Sequence, residues 1–90
     1  MFVIVAYDIS DDRRRTRLHR KLKNFGTPVQ YSVFECILNE NDVEKMKQVV
    51  KDLIKYDEDL VRYYFLCDGC RKRIKAINGV VTQERRTLVV

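Results

Sequence analysis

"FVIVAYDISDDRRRTRLHRKL" (Phe2–Leu22) passes from an apolar run to a basic one, and a single carboxylate, Asp8, stands at the seam. Phe2–Ile9 is β-branched, aromatic and apolar in both of its alternating registers, the pattern of a strand covered on its two faces. In a strand Phe2, Ile4, Ala6 and Asp8 share one side, and Val3, Val5, Tyr7 and Ile9 share the other. Ser10 or Asp11 is suited to cap a following helix, and Asp11 and Asp12 suit its positive N-terminal end. That helix is predicted to run to about Asn24, with Leu18, Leu22 and Phe25 turned to the core. Gly26 stops it and Thr27-Pro28 turns the chain.

Outward from this unit the remaining elements follow by period. Val29–Leu38 reads as extended, with Val29, Tyr31 and Val33 on one face and Phe34, Cys36 and Leu38 on the other. Its alternation breaks near Ser32, which fits either one kinked strand or two short ones. Asn39 or Asn41 caps a second helix whose Val43, Met46, Val49, Val50, Leu53 and Ile54 form a broad apolar stripe. Leu60–Cys67 is a further strand, with Val61, Tyr63 and Phe65 alternating against Leu60, Arg62, Tyr64 and Leu66. A basic segment, an Asn78-Gly79 turn signal and the apolar tail Thr87–Val90 close the chain. The order strand, helix, strand or two, helix, strand suggests an α+β, ferredoxin-like βαββαβ two-layer sandwich. One domain over residues 1–90 is expected, with a core of about 1–78 and a C-terminal segment of about 79–90. A sheet face left open with this many apolar side chains calls for a cover, and a second copy is the simplest, so a homodimer is expected.

At ninety residues the chain is a marginal size for a single core, which favours the same expectation. Phe2–Ala6 is too short for a signal peptide or a membrane span, and a cytoplasmic, membrane-free protein is the default reading. Three cysteines in such a chain argue against a disulfide framework. The net charge of +5 is unevenly spread. Arg13, Arg14, Arg15, Arg17, Arg20, Lys21 and Lys23 lie within eleven residues that contain no acid. Arg71, Lys72, Arg73, Lys75, Arg85 and Arg86 make a second basic group, and the middle of the chain is slightly acidic. Two basic ends around such a middle point to a polyanionic partner.

Asp8 supports two readings. It caps the next turn, or it ligates a divalent metal. Mg²⁺ binds through one or two carboxylates with water and phosphate, so a lone Asp is a poor site unless a two-fold axis brings two copies of Asp8 together. The neighbouring cations would then hold a phosphate backbone over the metal. Asp11 and Asp12 more simply serve the helix end. The basic run lacks acid partners of its own and repels itself, which favours phosphate contact by Arg13, Arg14, Arg15, Arg17, Arg20 and Lys21 over a merely solvated face. His19, one position off the apolar stripe, is read as a partly packed surface residue. Cys67-Asp68-Gly69-Cys70 has the spacing of a metal knuckle or a redox site. A zinc set would have only Cys36 and His19 to complete it, so the CxxC is read as a turn with two unrelated thiols. Tyr31, Tyr63, Tyr64, Phe34 and Phe65 are read as core.

"VAYDIS", "RRRTRLHRKLKNFG", "VQYSVFEC" and "RYYFLC" together resemble the CRISPR-associated protein 2 family over nearly the whole chain. The strand-end Tyr7-Asp8-Ile9 and the downstream Gly26, Gln30, Ser32, Val33, Phe34 and Glu35 carry most of the likeness, with Leu66-Cys67 behind them. The resemblance implies a ferredoxin-like homodimer with an extra C-terminal strand, Thr87–Val90, that crosses to the partner's sheet. It implies a metal-dependent endonuclease acting on RNA or DNA, with Asp8 as ligand to Mg²⁺ or Mn²⁺. Tyr7, Arg15, Arg17 and Phe34 fall at family positions linked to catalytic activity. Spacer acquisition is implied too, the dimer bridging the CRISPR integrase, CRISPR-associated protein 1, and holding duplex DNA. A scaffold without catalysis and a toxin-like interferase acting on single-stranded RNA are the alternatives. One departure stands out: Pro28 occupies a slot that is an arginine in many members.

Overall fold

The protein, described by a computed structural model over residues 1–78, folds in the order β1 (Phe2–Asp8), α1 (Asp12–Leu22), β2 (Thr27–Gln30), β3 (Val33–Ile37), α2 (Glu40–Leu53), β4 (Leu60–Leu66) and α3 (Asp68–Arg71). The sheet runs β2-β3-β1-β4 with every neighbouring pair antiparallel. This is the split βαβ arrangement expected from the sequence. The expected C-terminal strand and its crossing to a partner lie outside the described residues.

β1 is central because nothing along it resists pairing on both edges. Val3 opposes Cys36 on one side and Phe65 on the other, and Val5 opposes Phe34 and Tyr63. Val3, Val5, Tyr7 and Ile9 are buried on one face of the sheet with Phe34 and Cys36. α1 and α2 cover that face with Leu18, Leu22, Val43, Met46 and Val50. Phe34, Leu18, Leu22 and Met46 are fully buried, and their removal from water is the main stabilising term. Asp11 caps α1 by accepting from the Arg14 amide at 2.9 Å, and Asn39 caps α2 by accepting from the Asp42 amide at 2.8 Å.

Residues 29–38 form two strands rather than one. β2 and β3 make a hairpin turning at Tyr31-Ser32, with a register shift between Pro28 and Gln30. The turn separates Tyr31 from Val33, so the single apolar face expected for Val29, Tyr31 and Val33 does not form. β2 is an edge strand, where Pro28 costs the ladder little.

Gly26 does not itself stop α1, which ends at Leu22 with Lys23 as its C-cap. Its φ is not positive, so no left-handed cap is formed. Its Cα lies hard against β3, where a Cβ would collide with Cys36 Sγ and the Glu35 carbonyl oxygen. Glycine is needed here for close approach of the helix end to the sheet.

α3 was not foreseen as a helix. It folds beside the end of β4 and holds the Arg71 guanidinium 5.1 Å from the centre of the Phe2 ring. Phe2 belongs to the uncovered sheet face, and it is nonetheless buried.

Candidate functional site

The register separates Tyr7 from Asp8. Asp8 closes β1 opposite Leu60 on the face away from the helices, and it is exposed. Among the described residues its side chain makes no hydrogen bond or ion pair, unlike those of Asp11, Asp12 and Asp59. The turn-capping reading of Asp8 therefore has no support: Asp11 does that work. Leu60, 66 % exposed, and Tyr64, 44 % exposed, share the open face with Ile4 and Ala6.

Tyr7 points the other way, into the core. Its hydroxyl lies 3.4 Å from His19 Nδ1, and its ring stacks on Phe34 at 6.4 Å between centroids. His19 meets Phe34 edge-on at 5.1 Å. Burial, reinforced by Tyr31 and opposed by Arg15, holds the Tyr7 phenol above its ordinary pKa. The implied catalytic set of Asp8, Tyr7, Arg15, Arg17 and Phe34 is thus not one cluster. Phe34 is fully buried and packs the core of this chain, on the opposite face of the sheet from Asp8. Tyr7 is a core residue with its hydroxyl satisfied by His19. His19 is half-buried, as read from the sequence.

The cations of the basic helix fall into two groups, paired and unpaired, among the described residues. Arg14 is tied down: its Nε donates to Asp59 Oδ2 at 2.9 Å and its Nη2 to Glu58 Oε2 at 3.0 Å. Asp59, buried, also accepts from the Lys55 amide at 2.7 Å. These bonds, led by the one from Arg14, hold the Asp59 carboxyl below the usual carboxylate range. Arg15 donates from Nη1 to the Ile9 carbonyl at 3.0 Å and from Nη2 to Asp12. The expectation that this run lacks acid partners is corrected for Arg14 and Arg15; the acids come from the helix start and from the loop before β4. Arg13, Arg17 and Arg20 remain on the solvent side, where with Asp12 and Thr16 they line a shallow groove. Lys21 is exposed on the same helix.

Tyr31, expected in the core, is 81 % exposed at the hairpin turn. The signal for this was the broken alternation at Ser32, which places Tyr31 in a turn. Glu35 shares the sheet face of Asp8 but stands opposite Ile4, four residues along β1. At ~3.3 Å per residue that separates the two carboxylates by about 13 Å, too far to share an ion. No three His, Cys, Asp or Glu side chains among the described residues come together as a metal set. The hard oxygens of Asp8 fit Mg²⁺ or Mn²⁺, but one chain supplies only one such ligand.

The family model for CRISPR associated protein Cas2 matches residues 1–74. The chain belongs to the Cas2 family. A Chloroflexus aurantiacus protein named CRISPR-associated endoribonuclease Cas2 1 is 41 % identical over 78 residues, 86 % of this chain and 84 % of the relative. Among solved structures, Streptococcus pyogenes Cas2 superposes with a TM-score of 0.78 at 25 % identity, covering 87 % of this chain and all of that one. A chain of a partial Cas6-RT-Cas1–Cas2 complex matches with a TM-score of 0.74 at 28 % identity, over 92 % of this chain and 97 % of its own. The Cas2 likeness thus covers the whole described fold, including β1 and its terminal Asp8. No helix among the described residues is long and apolar enough to cross a membrane.

Proposed function

We propose that this Cas2 chain serves CRISPR adaptation as a dimer, and that it is a divalent-metal-dependent endonuclease centred on Asp8. The observation that carries the reading is the uncommitted carboxylate at the end of a buried strand, on a sheet face whose Ile4, Ala6, Leu60 and Tyr64 call for a second copy. A two-fold contact through that face brings two Asp8 side chains toward one cleft, which supplies the second ligand that one chain lacks. Mg²⁺ or Mn²⁺ held there would polarise the scissile phosphate and lower the pKa of a bound water. Arg13, Arg17 and Arg20, with Lys21, bind successive phosphates of RNA or duplex DNA and fix the backbone without reading bases. Arg15 braces the β1–α1 corner through the Ile9 carbonyl, and so sets where Asp8 is presented. The name of the Chloroflexus relative, an endoribonuclease, supports the phosphodiesterase chemistry.

The second reading, a scaffold that holds duplex DNA beside the CRISPR integrase, is supported by the likeness to a chain of a Cas1–Cas2 complex. Cleavage of labelled single-stranded RNA and duplex DNA, with and without Mg²⁺, distinguishes the two. The Asp8→Asn variant is run beside wild type after sedimentation has established the state of both. Metal-dependent cleavage lost in the variant supports the endonuclease. Tight duplex binding without cleavage in either leaves the scaffold, and a monomer at micromolar concentration overturns the shared cleft.

A further inference from the structure

The two thiols of Cys67-Asp68-Gly69-Cys70 are not unrelated. Cys67 caps α3 and Cys70 lies in its first turn, with the Cys70 amide donating to Cys67 Sγ at 3.4 Å. Both residues are exposed. Cys36, the only other cysteine in the chain, is buried between Gly26 and the core, and burial pushes its thiol up to about 11. The chain thus carries one inert thiol and one adjacent, accessible pair. We propose that Cys67 and Cys70 form a thiol–disulfide exchange site that cycles between a dithiol and an intramolecular disulfide, with Cys67 as the attacking sulfur and a low-molecular-weight disulfide as the oxidant.

The chemistry closes on these atoms. Cys67 loses its proton to solvent, and its thiolate attacks one sulfur of the oxidant. A Cys67 mixed disulfide forms and the first small thiolate leaves, taking up a proton. Cys70, deprotonated in turn, attacks Cys67 Sγ and expels the second thiolate. Two protein thiols are oxidised to one disulfide, and the small disulfide is reduced to two thiols. Geometry assigns the order. The Cys70 amide donates to Cys67 Sγ and stabilises negative charge there, which holds the Cys67 thiol below its ordinary value. Cys70 is held above its own by its side-chain bond to Cys67 and by the charge there. Zinc is a poorer occupant, because among the described residues no third ligand stands near the pair. The turn that the disulfide closes is the one from which Arg71 reaches Phe2, its amide donating to the Cys67 carbonyl at 2.9 Å. Oxidation therefore stiffens the junction between the sheet and the basic segment that follows.

The test is exposure of the folded, full-length protein to oxidised glutathione, followed by thiol counting and intact mass. The count is expected to fall from three to one with the loss of two hydrogens and no glutathione adduct. Cys70→Ser is expected to trap a glutathione adduct on Cys67, whose sulfur keeps the Cys70 amide bond, and Cys67→Ser to form its adduct more slowly. Three thiols persisting after treatment overturn the site. So does a loss of thiols that non-reducing electrophoresis traces to links between chains. Equal adduct rates in the two variants overturn the assignment of Cys67 as attacking sulfur.

Discussion

Arg14 and Asp59, 45 residues apart in the chain, meet at 2.9 Å with the carboxylate entirely out of solvent. The pair fastens the start of α1 to the loop that leads into β4. Its removal is expected to loosen that corner. Asp59 has a depressed folded-state pKa, so its contribution is complete above the ordinary carboxyl value of 3.8 and is lost as pH falls through the lower folded value. Asp59→Asn should lower the melting temperature by several degrees at pH 7. The gap to wild type should narrow as pH falls below the ordinary carboxyl value, read by circular dichroism across that range.

Salt dependence separates the arginines of α1. Arg17→Ala should weaken binding to nucleic acid of any sequence and reduce the slope of log affinity against log salt by about one. Arg14→Gln should leave that slope unchanged, since its guanidinium is already spent on Asp59 and Glu58. Fluorescence anisotropy at several salt concentrations reads both.

Phe34 offers a control for the catalytic assignment. Phe34→Ala should cost about 3–5 kcal/mol in denaturant unfolding, because a fully buried ring leaves a cavity behind. Phe34→Leu should retain cleavage in proportion to the folded fraction. A well-folded Phe34→Leu protein without activity would return Phe34 to the reacting centre.

Gly26→Ala should destabilise by about 1–3 kcal/mol, the range for overpacking a tight contact, although the backbone there is not left-handed. Replacing Cys36 by Ala in the same chain removes one of the two colliding atoms but leaves the Glu35 carbonyl. A double-mutant cycle should then recover part of the loss.

The periodic parts of the chain were legible. β1, α1, α2 and β4 sit within a few residues of where alternation and the helical stripe put them, and the caps fall on Asp11 and Asn39, each one of the candidates named. Periodicity failed where elements are shorter than a period can register. The four residues of α3 and the turn at Tyr31-Ser32 are the cases. Tertiary partners were illegible for a different reason. Nothing local in "RRRTR" distinguishes Arg14, which meets an acid far along the chain, from Arg13 and Arg17. Asp8 and the alternation beside it were readable. That Tyr7 and Phe34 lie beneath the sheet while Asp8 lies above follows from the same alternation, and only the functional grouping taken from resemblance had joined them.

The two borders of the sheet are unequal. β2 is a short strand in which proline removes one amide and a register shift bends the rest, whereas β4 runs seven residues without interruption. A foreign strand seeking main-chain donors finds a poor template beside Pro28 and, among the described residues, an uninterrupted one beside β4. Lateral growth of the sheet is thereby given a direction. Open-ended stacking, which needs two receptive borders, is discouraged by the short β2, its proline and the register shift beside it.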